Sequence, residues 1–202
     1  VLELKTKTVD VQRLQGLDHR HKTILAWSLN TPAVIKHEER RTAPLAARLA
    51  AAARCQSWGY PLAFHFDPMV IYRNCETDYR QVVKQLFQHV RPEHIVWISL
   101  GTFRFMPSLK PLIAQRFPSS QITCGEFITG LDNKMRYFKP LRIDLYKRMV
   151  DWIREAAPDV TLYFCMEDRD VWRQTIGGPP PTDGRLGRML DESAVRVCGL
   201  TP

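Results

Sequence analysis

Short apolar runs alternate with helical segments five times along this chain, and that rhythm leaves few folds open. Leu2, Leu4 and Thr6 alternate with Glu3, Lys5 and Lys7, while residues 23–29, 62–66, 94–101 and 159–166 are nearly continuous apolar runs. A two-residue period reads as a strand, and an unbroken apolar run as a strand covered on both faces. Helices fall between them. Thr31-Pro32 and Thr42-Ala43-Pro44 are helix starts, with Thr as cap and Pro in the first turn. Tyr79, Val82, Val83, Leu86, Phe87 and Val90 recur at helical spacing, as do Leu141, Leu145, Met149, Val150 and Ile153. Alternating β and α predicts a parallel sheet with right-handed crossovers. Five such units do not close a standard eight-stranded barrel. The expected fold class is therefore α/β, an open sheet or partial (β/α) barrel of about five parallel strands with helices outside. Residues 1–176 make up that unit, and 177–202, opening on Gly-Gly-Pro-Pro-Pro, read as a Pro/Gly-rich tail with one marginal helix.

Polar side chains at the carboxyl ends of parallel strands are where such folds build chemistry. The most pointed case is Gly59-Tyr-Pro-Leu-Ala-Phe-His-Phe-Asp-Pro-Met69, a buried strand carrying His65 and running into Asp67-Pro68. Proline has no N–H for the ladder, so the strand is expected to stop there. His65 and Asp67 read equally well as catalytic groups and as a hydrogen-bonded core His with an Asp capping the following turn. The other strand ends contribute Lys7, Ser28, Ser99 with Arg104, and Glu167 with Asp168. In a barrel these positions converge on one face, although each alone also fits a cap or a surface residue. No Gly-rich phosphate loop, GxSxG elbow or HExxH helix is present.

Residues 118–140 break the rhythm. Asp132-Asn-Lys-Met-Arg-Tyr-Phe-Lys139 places three cations and two aromatics in one irregular or hairpin-like stretch. A long excursion within a compact domain is usually functional or disordered, and its aromatics argue against disorder.

Composition narrows the partners. At 45% hydrophobic and 25% charged, the 202 residues are ordinary for a globular protein. No apolar run approaches the ~20 residues that cross a bilayer. No leader is evident, and an opening without Met, inside a strand, leads us to expect a preceding segment. Lys and Arg number 29 against 21 acids, a net charge of +8, which favours phosphate-bearing partners. Cys55, Cys75, Cys124, Cys165 and Cys198 are scattered, with no CxxC pattern. Reduced thiols in a cytoplasm are expected, with Cys165 a small buried hydrophobe and no metal-ligating set in the chain.

Several blocks in order carry a resemblance. They are residues 23–30 with Thr31-Pro-Ala-Val-Ile35, Glu38-Glu39 and the helix 42–54, then Gly59 to Pro68, Ile95 to Phe105, Asp132 to Phe138, and Tyr163 to Trp172. Together the chain from residue 2 to about 176 resembles the spore photoproduct lyase family of radical S-adenosylmethionine proteins. The resemblance implies a partial barrel, S-adenosylmethionine, a [4Fe–4S] cluster, and hydrogen abstraction that splits thymine-dimer photolesions in DNA. The family's cluster loop, CxxxCxxC, has no match here, so the ligands of the cluster are not in this chain, and the chain alone is expected to be inactive. It further implies that Lys7 and Ser28 contact S-adenosylmethionine, that Asp67 lies near the adenosine, and that Arg136 and Tyr137 meet the lesion. Two alternatives stay open: a barrel of this type acting on another substrate, and a non-catalytic binding fragment.

Overall fold

The computed structural model describes residues 1–177 and 184–200. In chain order they form β1 (Leu2–Thr6), β2 (Thr23–Ser28), α1 (Pro32–Glu38), α2 (Leu45–Ser57), β3 (Leu62–Met69), α3 (Cys75–His89), β4 (Ile95–Thr102), β5 (Arg104–Phe105), α4 (Leu109–Arg116), β6 (Ile128–Thr129), β7 (Met135–Arg136), α5 (Lys139–Ala156), β8 (Thr161–Phe164), α6 (Arg169–Ile176) and α7 (Arg185–Cys198). β1, β2, β3, β4 and β8 lie side by side in that order as one parallel sheet. The expected α/β architecture is what the chain adopts. No helix among the described residues is long and apolar enough to cross a membrane.

The two faces of the sheet are covered differently. Leu25, Trp27, Leu62, Phe64, Ile98, Leu100 and Phe164 point to the face packed by α2, α3 and α5. Ile24, Ala26, Ala63, Val96 and Trp97 point to the other, where Ala194 and Cys198 of α7 close over them. The stretch expected as a tail with one marginal helix thus contains a 14-residue helix packed on the sheet; its Pro-rich part, 178–183, lies outside the described residues. A register shift opposite Leu62 and Ala63 leaves Val96 outside the ladder, and the Ser193 hydroxyl of α7 donates to its carbonyl. A bulge leaves one residue unpaired, so this bond satisfies a group that would otherwise be buried and orphaned.

Two expectations are corrected. β3 does not end before Pro68 but runs on to Met69, across a cis Asp67–Pro68 peptide. A second register shift between Phe66 and Met69 places the proline in a bulge, where no ladder N–H is required of it. On α5 the buried stripe holds Arg142, Leu145, Tyr146, Met149 and Ile153, and Leu141 faces solvent. Arg142 can lie among apolar groups because Glu167 neutralises it there.

Residues 118–140 contribute β6 and β7 to a small second sheet that they share with β5, in the order β5–β7–β6 and antiparallel throughout. Phe103, Phe105, Phe127 and Tyr137 form a run of ring contacts along it, with centroids 4.7–5.2 Å apart; Phe103 stacks on Phe105 and Phe127 on Tyr137, while Phe105 meets Phe127 edge-on. These aromatics order the excursion above the carboxyl ends of β3 and β4.

Candidate functional site

Register brings polar side chains into rows on the α7 face, above the apolar floor. Ser28, His65, Ser99 and Tyr163 are successive partners across β2, β3, β4 and β8. His65 Nδ1 lies 2.7 Å from the Ser99 hydroxyl. Glu3, from the edge strand, reaches over Ala26 toward the same ring, Oε1 standing 3.1 Å from His65 Nε2. That approach falls outside hydrogen-bond geometry, so the buried Nε2 faces the Glu3 carboxylate without a hydrogen bond. Glu3 Oε2 accepts from the Trp97 indole at 2.8 Å. Burial pushes the Glu3 carboxyl up, but His65 and Trp97 outweigh it and hold its pKa below the usual range.

One row higher, Asp67 meets Arg104 at 3.4 Å, and Arg104 also donates to Cys165 Sγ at 3.4 Å. Cys165 is half-exposed on this face rather than a buried hydrophobe; burial and the neighbouring Asp67 push its thiol pKa up. Gly101 lies beneath Asp67. A Cβ there would stand 2.6 Å from Asp67 Oδ1 and 3.2 Å from Cys165 Cβ. Gly101→Ala should therefore swing Asp67 off Arg104 at a cost of about 1 kcal/mol. Urea unfolding measures it, and an unchanged midpoint would mean that Asp67 has no fixed seat.

Lys7 and Ser28 end adjacent strands and are tied to one buried network. Lys7 Nζ is 2.7 Å from Glu39 Oε1. Arg48 is fully buried and holds the other oxygen of Glu39. It also donates to the carbonyls of Ser28 at 2.8 Å and Ala43 at 2.7 Å, and to the Thr42 hydroxyl at 2.9 Å. The Ala43 N–H in turn donates to the Lys7 carbonyl at 3.2 Å. A lysine held this way has lost much of its rotamer freedom before any anion arrives.

Glu167 and Asp168 do not join that face. Glu167 pairs with Arg142 behind β8, and Asp168 caps α6 and meets Lys139 at 2.9 Å. Arg136 and Tyr137 stand on the small sheet. Arg136 grips Asp132, at 2.6 Å and 3.2 Å, and donates to the Met166 carbonyl at 2.9 Å. Arg136 holds the Asp132 carboxyl down at about 2. Tyr137 is buried, its hydroxyl accepts from the Ile71 N–H at 3.2 Å, and burial pushes its pKa up to about 12.

The structure thus joins Lys7 with Ser28, His65 with Ser99, and Asp67 with Arg104. It adds Glu3, Glu39, Arg48, Tyr163 and Cys165, which sequence reasoning left aside. Among the described residues no group of three or more His, Cys, Asp or Glu is placed to hold a metal ion. The side chains present therefore do not compose an iron–sulfur site, which needs converging thiolates.

The family model for spore photoproduct lyase matches residues 1–162. A curated spore photoproduct lyase from Clostridium acetobutylicum is 28% identical over 134 residues, covering 66% of this chain and 38% of that protein. The one from Bacillus subtilis is 33% identical over 129 residues, covering 62% and 37%. A solved spore photoproduct lyase with bound AdoMet and dinucleoside spore photoproduct superimposes with a TM-score of 0.72 at 25% identity, covering 81% of this chain and 51% of that one. A further solved variant, with the dinucleoside spore photoproduct, gives 0.74 and 26% over the same shares. The chain spans less than two fifths of the length of those curated relatives and about half of the solved chains.

Proposed function

Because the chain belongs to the spore photoproduct lyase family, we propose that it supplies one wall of a site where S-adenosylmethionine is held against a thymine-dimer photolesion in DNA, in a cytoplasmic repair lyase. The observation that carries this reading is Lys7 and Ser28 at adjacent strand ends, the Lys7 ammonium held by Glu39 and the Ser28 carbonyl by Arg48, which grips Glu39 as well. An ammonium held in place suits the carboxylate of the methionyl group, and a hydroxyl one strand away suits its polar neighbours. The Glu3 carboxylate beside His65 and the close seat of Asp67 over Gly101 give this face polar groups for a ligand. Bound S-adenosylmethionine would supply the hydrogen-abstracting radical once a reductant from elsewhere cleaves it. This chain's own residues bind and orient: Lys7 and Ser28 the amino-acid end, Asp67 the adenosine, Arg136 and Tyr137 the nucleic acid. The [4Fe–4S] cluster that the family implies would need converging thiolates, and the described residues do not offer them.

Titration calorimetry tests the cofactor half. The chain should bind S-adenosylmethionine more tightly than methylthioadenosine, which lacks the amino-acid head. Lys7→Met should lower only the former, by about tenfold, the worth of one charge-assisted hydrogen bond. Equal affinity for both ligands would sink the assignment. The substrate half is checked by salt-dependent binding to irradiated against unirradiated DNA; equal affinities favour a barrel of this type acting on another substrate.

A further inference from the structure

Arg136 and Tyr137 are neighbours in sequence but cannot close on one chemical group. Successive residues of an extended chain point to opposite sides. Arg136 faces a groove it shares with Lys139 and Met166. Tyr137, only 3% exposed, borders a different space, a cavity of about 330 Å³ between α1 and the 118–125 loop. Ala33, Val34 and Glu38 of α1 wall it on one side, with Ile71, Ile122 and Tyr137 opposite.

We infer that this cavity takes one unstacked nucleobase of a single-stranded nucleic-acid segment, while the Arg136 side of the hairpin is left to the sugar–phosphate chain. The inference rests on the reading of the protein as acting on DNA and specifies where a base goes. Size sets the first limit. The volume lies at the low end of the roughly 300–1,000 Å³ of small-molecule pockets, enough for a single base ring. Chemistry sets the second. Val34, Ile71, Ile122 and Tyr137 offer aliphatic and aromatic surface to a base's faces, while His37, Glu38 and Gln121 bring polar groups to the same walls. Glu38 accepts from the Ser120 hydroxyl and from the Gln121 N–H at 2.9 Å. A carboxylate has about four lone-pair sites, so it keeps acceptors for the N–H groups on a base edge.

Charge sets the third. Lys36 lies on α1, Arg40 and Arg41 follow just beyond its end, and Arg73 follows Tyr72, another lining residue of the cavity. Arg40 lies over the Phe117 ring, 4.6 Å from its centroid. A base in the cavity would leave its phosphates among these cations, in a protein of net charge +8.

The test compares a six-nucleotide thymidine oligomer with the same sugar–phosphate chain lacking every base, both unirradiated, by fluorescence anisotropy. The intact oligomer should bind at least about tenfold more tightly, within the range for base–aromatic contact. Ala33→Trp, placed on an exposed helix position at the cavity wall, should bring the two to near equality while leaving the thermal midpoint unchanged. Arg40→Ala should weaken both oligomers alike and flatten the salt dependence. Equal binding of the two oligomers to the native chain overturns the inference, as does an undiminished preference in Ala33→Trp. Should irradiated DNA still be preferred in either of those cases, the lesion reading stands and the base pocket alone falls. A base preference without any preference for irradiated DNA has the opposite meaning.

Discussion

Arg48→Met is expected to lower the unfolding free energy by about 3–5 kcal/mol, the usual cost of breaking a buried ion pair from one side. The methionine keeps the stem's volume but strands several groups. The carbonyls of Ser28 and Ala43 lose their Arg48 donor, and Glu39, whose side chain is 9% exposed, keeps only Lys7 and the Thr42 hydroxyl. Total stabilities of about 5–15 kcal/mol make this a large fraction. Urea unfolding measures it, and a loss below about 1 kcal/mol would mean that water reaches these groups. The double variant Arg48→Met with Glu39→Gln should lose less than the sum of the two singles, because the pair couples.

The same pair sets a pH dependence. Burial pushes the Glu39 carboxyl up, but the hydrogen bonds from Arg48 and Lys7 outweigh it and leave the folded pKa below the usual value. A depressed carboxyl contributes stability that is fully present above the unfolded pKa, about 4.3, and lost as pH falls through the folded one. The gap between native and Arg48→Met stabilities should accordingly narrow below about pH 4. A gap that stays constant down to pH 2 would place the effect in packing rather than charge.

Residues of this kind explain what sequence could and could not reveal. The strands of the main sheet were legible because helices on one face and α7 on the other leave long apolar runs behind. Glu3 was not, because a carboxylate on an alternating edge strand has the pattern of a solvent-facing one, and only register shows it crossing to His65. Glu39 sits in a charged loop that resembles any solvated turn. Arg48 did leave a signal. It shares the stripe of Leu45, Leu49 and Ala52, at i, i+3, i+4 and i+7, so an arginine on an apolar face asks for a buried acid. Arg142 lies on the stripe of Leu145, Tyr146 and Met149 and asks the same question. The site's strand-end positions followed from alternation, and their partners did not, since partners come from loops whose paths the pattern leaves open.

Glu167→Ala answers that question for the second pair and should cost a similar 3–5 kcal/mol. Glu167 and Arg142 side chains are 2% and 5% exposed. One oxygen of Glu167 meets Arg142, and the other accepts from the Tyr146 hydroxyl at 2.8 Å. That hydroxyl accepts from the Thr102 N–H at 2.7 Å, and Arg142 donates to the Tyr137 carbonyl at 3.1 Å. Burial and then Glu167 push the Tyr146 pKa far up, so its hydroxyl stays a donor at all ordinary pH. Alanine leaves Arg142 as an uncompensated buried cation and frees the last turn of β4 and the backbone beside Tyr137 together. Glu167→Gln keeps an acceptor for Tyr146 and should lose about half as much. Hydrogen exchange separates this from general loosening: the Thr102 amide should lose protection in Glu167→Ala well before amides of β2, which the network does not touch. Uniform loss across the sheet, or a urea midpoint that hardly moves, would mean that this pair does not tie β8 and α5 to the end of β4.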